Sequence, residues 1–225
     1  MAETAWRILL FALLAGASPI AIVSTLAALG SKRGRTNGLA LAAGFLLGQS
    51  AALLVAFLIG SAATTGLDAD DQVVAVLELV VGLALLAVAW PEWRRQPGPV
   101  DGPSRTKSLL ERLKGLRPVT AFTLGALLGI GGVKRLSITI VAGATIAIAG
   151  LEPGEELFLG LLYIAIGGAL VWVPVAGYLV AGARADEWMT RAEEWLVVNG
   201  RRITLVSTLV FGILLTGDAL LRLLQ

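Results

Sequence analysis

Two adjacent cations, Lys134 and Arg135, follow Gly131-Gly132-Val133 inside a long apolar stretch. A charge at mid-bilayer depth costs about 3 kcal/mol or more, and its default reading is functional. A helix restarting after the glycines would set the positive end of its dipole beside both cations. Together they would bind an anion: a phosphate, a carboxylate or a sulfate. Glu78 and Asp218 each lie in an apolar stretch of their own. Either would serve as counter-ion to Lys134 or Arg135, protonated during a cycle. Gln49, Ser50 and Tyr163 offer polar contacts in a cavity, or interhelical hydrogen bonds. Plainer readings stand beside these. If residues 118–131 form a re-entrant or interfacial segment, Lys134 and Arg135 sit at the inner surface and follow the positive-inside rule. Asp218 is one turn from Arg222 and would pair with it locally. Glu78 reads equally well as structural.

What the chain lacks narrows the chemistry. It has no cysteine and no histidine. That excludes a disulfide framework, a thiolate nucleophile, a Cys/His zinc site and a histidine base. There is no Gly-x-x-x-x-Gly-Lys-Ser/Thr loop, no nucleophilic triad and no paired acidic metal motif. The expectation is no enzyme, no cofactor and no metal, with a membrane transferase kept as the one enzymatic alternative. A net charge of +2 gives no sign of a nucleic-acid partner.

The elements that must position these residues are membrane spans. Of 225 residues, 56% are hydrophobic and 15% charged, where soluble domains carry about a quarter charged residues. A span needs about 20 apolar residues. Six stretches qualify: 6–30, 38–60, 72–90, 118–150, 156–182 and 203–224. The first also reads as a signal peptide, but Pro19 would follow the cleavage site and the apolar run continues to Leu29. The loops 31–37 and 91–117 are basic, while 61–71 and 151–156 are acidic. By the positive-inside rule both termini lie outside. Residues 105–116 and 186–198 read as amphipathic helices, lying on the inner leaflet or packed against the bundle. Arginine supplies 14 of the 18 basic residues, a bias suggesting a GC-rich bacterial genome and hence a bacterial plasma membrane.

Two spans carry breaks. Gly16-Ala17-Ser18-Pro19 interrupts the first: proline ends one helix, Ser18 suits an N-cap and Pro19 the first position of the next. A simple kink is the alternative. The fourth stretch of 33 residues would be about 50 Å as a straight helix, too long for a bilayer. Gly129, Gly131 and Gly132 weaken its middle. The chain thus divides into 1–90 and 118–225, three spans each, joined by a linker over 91–117. Three is odd, so the second set is inverted. The expected fold is an all-α polytopic membrane protein of two inverted three-helix repeats with broken first and fourth helices. Such repeats place substrate near the midplane between the breaks, at Ser18, Pro19, Gly131, Gly132, Gln49, Tyr163, Lys134 and Arg135.

Val133-Lys134-Arg135 and the Ala-Gly helix after it resemble the Asn-Pro-Lys-Asn segment of the GAP family. These are peptidoglycolipid- and sulfolipid-addressing proteins of the lysine exporter (LysE) superfamily. Ser18-Pro19, Gly44-Phe-Leu-Leu-Gly48, Trp195, Asn199, Gly212 and Gly217 are similar as well. Here Gly132-Val133 stands for the family's Asn-Pro, and Arg135 for its second Asn. The resemblance implies six spans and export of cell-envelope lipids. A cationic site fits an anionic lipid headgroup better than a lysine-like or metal cation. The leading expectation is therefore a transporter or flippase for an anionic envelope lipid. An exporter of a small amino acid or ion, and an adaptor of a larger lipid exporter, are the alternatives. Glycine-rich faces suit a homodimer as well as packing within one chain.

Overall fold

A computed structural model describes residues 1–64 and 117–181, with single positions at 79, 83, 191, 206, 209, 210, 212, 213, 216 and 217. Most of the expected third and sixth spans and of the two amphipathic segments, with Glu78 and Asp218, lies outside the described residues. Within them the chain is all helical: α1 (Ala2–Gly16), α2 (Pro19–Leu29), α3 (Gly34–Thr64), α4 (Pro118–Ile130), α5 (Val133–Ile148), α6 (Pro153–Gly167) and α7 (Ala169–Ala181).

Among the described residues, α3 alone is long and apolar enough to cross a bilayer as one helix, over Gly34–Ala62. The others form three bent pairs: α1 with α2 at 61°, α4 with α5 at 62° and α6 with α7 at 67°. Each pair, taken as one broken span, brings the total to four.

The first two breaks fall where expected. α1 stops at Gly16, Ser18 is extended, and Pro19 opens α2. Ser18 occupies the N-cap position, yet its hydroxyl makes no capping bond. α4 stops at Ile130, and Gly131 follows at φ 83°. That backbone region suits glycine and strains an L side chain. The third break differs from expectation. The spacing predicts a continuous fifth span, but Gly167 and Gly168 split it into α6 and α7. Two consecutive glycines remove side-chain support from the same turn.

α3 is the spine. Its first half lies along α4 through two facing Gly-x-x-x-Gly pairs. A Cβ at Gly44 or Gly48 would collide with the carbonyl oxygens of Phe122 or Ala126. A Cβ at Gly125 or Gly129 would collide with those of Leu41 or Phe45. Backbones in contact at this range give strong dispersion without a hydrophobic drive, which lipid does not provide. The second half of α3 meets α5, where a Cβ at Gly143 would lie 2.6 Å from that of Ala56.

Two apolar clusters result, one on each side of the breaks. The first joins α1, α5 and α6 to Leu53 of α3, with Phe11, Ile138, Leu159 and Tyr163 at its centre. The second joins α2, α4 and α7 to Leu41 and Phe45 of α3, with Leu26, Leu29 and Val175. The half-helices before the first break, after the second and before the third share one cluster; their continuations share the other.

Candidate functional site at the helix breaks

Between the two clusters lies a polar layer built on Arg135. It occupies the third position of α5, so the break at Gly131 fixes where its side chain starts. That side chain folds back over Gly131: a Cβ there would lie 2.5 Å from Cδ of Arg135 and 2.6 Å from its Cβ. Only glycine satisfies both the backbone angle and this space. The arginine is 6% exposed.

The guanidinium reaches the other two breaks. Nη1 donates to the carbonyl of Ala15 at 2.8 Å, in the last turn of α1. Nη2 donates to the carbonyl of Gly167 at 3.1 Å, at the end of α6. It also donates to Oε1 of Gln49 at 2.8 Å, from the middle of α3. Carbon Cζ lies 4.5 Å from the centroid of the Phe45 ring. One side chain therefore ties all three breaks to the spine.

No carboxylate among the described residues pairs with this cation. Its compensation comes from backbone. Each helix C-terminus carries roughly half a negative charge, so the ends of α1 and α6 together offset about one positive charge. Phe45 adds a ring face. Nε remains buried without an acceptor among the described residues.

Around this centre the layer is closely bonded. Gln49, fully buried, donates from Nε2 to the carbonyl of Tyr163 at 3.2 Å. Thr139 lies one turn beyond Arg135 on α5 and donates to the Arg135 carbonyl at 2.9 Å. With that proton committed, the Tyr163 hydroxyl donates to Oγ1 of Thr139 over 2.7 Å. The backbones are equally close: a Cβ at Gly16 would sit 3.3 Å from the Gly167 carbonyl, and one at Gly167 would sit 2.6 Å from Nε2 of Gln49.

Of the residues the sequence singled out, the structure joins Arg135, Gln49, Tyr163 and Gly131 in one contact set. Lys134 stands half-buried in the first turn of α5, about 100° around the helix from Arg135. Gly132 is its exposed N-cap, with open space around it and no capping side chain. Ser18 and Pro19 hold the first break and make no bond to the arginine. Phe45, Thr139 and the two carbonyls were not foreseen. The spacing of Thr139 from Arg135 was a usable signal, and so was the Gly167-Gly168 pair. A carbonyl oxygen belongs to every residue and has no sequence signature.

Broken helices meeting on a compensated buried cation, beside a straight apolar spine, fit an all-helical membrane protein. The family described as Sap, sulfolipid-1-addressing protein, has a model that matches residues 8–220, and the chain belongs to that family. The GAP resemblance of the sequence is thereby established, and membership of the wider lysine exporter superfamily is consistent with it. No curated protein and no solved structure matches the chain.

Proposed function

We propose that the chain is a plasma-membrane exporter, of transporter or flippase type, for an anionic cell-envelope lipid. The observation that carries this is the meeting of three helix breaks on Arg135, between two apolar clusters. Unwound backbone persists at membrane depth only where it is buried in protein or lines a cavity. Paired breaks of this kind suit alternating access, in which one set of half-helices moves against the other. The family is described by a sulfolipid, which favours a lipid cargo over a small amino acid or ion.

Lys134 and Arg135 divide the work in this reading. The Arg135 charge is engaged by Ala15, Gly167 and Gln49, so it holds the breaks together. Lys134 sits in the first turn of α5, where the helix dipole is positive. A phosphate or sulfate group is the natural complement of that corner. Glu78 or Asp218 would act as counter-ion, and six spans in two inverted repeats would place both termini outside. The function needs no catalytic residue and no cofactor.

The test is native mass spectrometry, with lipid extraction, of gently purified protein. Wild type should carry a specific anionic lipid, and Lys134→Ala should lose it while remaining folded. The same lipids in both proteins would remove the headgroup site. An exporter of small solutes, or an adaptor of a larger exporter, would then fit better.

A further inference from the structure

A groove of about 300 Å³ runs between α3, α5 and α6, apart from the Arg135 bonds. That is the lower end for ligand pockets, which span roughly 300–1,000 Å³. Leu54 and Phe57 of α3, Ile146 of α5, and Leu157, Gly160 and Leu161 of α6 form its walls. Ser50 stands at one end, next to Gln49, and its hydroxyl is engaged by the Leu46 carbonyl at 2.8 Å. Glu156 and Pro153 stand at the other, in the first turn of α6. From Pro153 to Ile164 the groove follows α6 for about 16 Å at 1.5 Å per residue. That is about half of the roughly 30 Å hydrocarbon core, the depth of one leaflet.

Two further observations indicate its occupant. Gly160 differs from the packing glycines of α3 and α4: a Cβ there would meet only Cδ2 of Leu53, at 3.7 Å. The helices stand apart at this level, and the missing side chain widens the gap. The lips are apolar and open sideways, with Leu54 58% and Leu157 64% exposed. In a bilayer such a slot faces acyl chains.

We propose that this groove binds one hydrocarbon chain of a membrane lipid, entering sideways from the leaflet that holds the start of α6. The inference rests on the reading that the protein handles a lipid, and it adds a tail site to the headgroup site.

The full chain in nanodiscs would be irradiated with two probes, a phosphatidylglycerol and a phosphatidylcholine carrying the same diazirine-bearing acyl chain. Cross-linked peptides should map to residues 50–57 and 157–164 with both probes, rather than to exposed apolar positions such as Ile20 or Val119. Gly160→Phe should cut this labelling about tenfold by filling the slot. Leu54→Trp, which fills it from α3, should do the same, while Leu47→Trp should leave labelling unchanged. Even labelling of all lipid-facing helices, or labelling that survives both filling variants, would overturn the tail site. Absence of label at the groove in the wild type, as when another part of the chain covers it, would overturn it too. The headgroup reading fails separately: the two probes would then label the groove equally, with no difference between wild type and Lys134→Ala.

Discussion

α3 and the α6–α7 pair are the second and fifth apolar stretches of the chain, counterparts in a repeat reading, and both are rich in glycine. α3 runs straight through Gly44 and Gly48, whereas α6–α7 bends by 67° at Gly167-Gly168. Spacing explains the difference. Glycines four apart lie on one face, and that face is pressed against the carbonyls of α4. Close packing there replaces the support that missing side chains withdraw. Adjacent glycines point to different sides of the helix, so no single neighbour can support both. The second pair also loses a carbonyl to Arg135, since Gly167 accepts from Nη2. Equal glycine content thus yields a spine in one place and a joint in the other.

Three tests would break or sharpen this contrast. The largest effect is expected at Arg135, on which the joints depend and the spine does not. Arg135→Leu would strand Gln49 and the carbonyls of Ala15 and Gly167 without their donor. Each buried neutral acceptor left unsatisfied costs about 1–3 kcal/mol. Thermal unfolding in detergent should show a large drop in Tm. Arg135→Lys should recover part of the loss, because an ammonium keeps the charge but not the fork that spans three acceptors. Full stability in Arg135→Leu would show that the breaks hold themselves.

The second test sets glycine against glycine. Gly125→Val should drive α4 away from the Leu41 carbonyl and cost about 1–3 kcal/mol through overpacking. Gly168→Ala meets the Ile164 carbonyl at 3.0 Å and Leu46 at 3.1 Å. It also favours helix by about 1 kcal/mol, so the two terms nearly cancel. Spin labels at Phe158 and Leu179 should then report a changed distance across the joint with little change in Tm. Equal losses from both variants would erase the distinction between spine and joint.

The smallest effect is expected at Tyr163. Tyr163→Phe removes the donor to Thr139, while Thr139 keeps its bond to the Arg135 carbonyl. A neutral hydrogen bond contributes about 0.5–1.5 kcal/mol. Chemical denaturation should show a loss in that range, with the bend angles unchanged.

Much of this architecture was legible in the residues. Hydropathy marked the described spans, because a bilayer core accepts only long apolar helices. Pro19 and Gly131 marked two breaks, because proline lacks a donor and a left-handed φ strains any side chain. Gln49, Tyr163 and Arg135 stood out as polar groups in apolar surroundings. The third break was written in Gly167-Gly168 but masked by the even hydropathy around it.

The sequence by itself determined that this is a membrane protein of the sulfolipid-addressing family, with helices that break at Ser18-Pro19 and Gly131-Gly132. Those are local properties, set by each residue's own backbone freedom and transfer free energy. Only the tertiary structure decided what the buried arginine faces. Its acceptors are the backbone carbonyls of Ala15 and Gly167 and the side chain of Gln49, far apart along the chain. Their convergence depends on the packing of α1, α3 and α6 around α5, which no local pattern specifies.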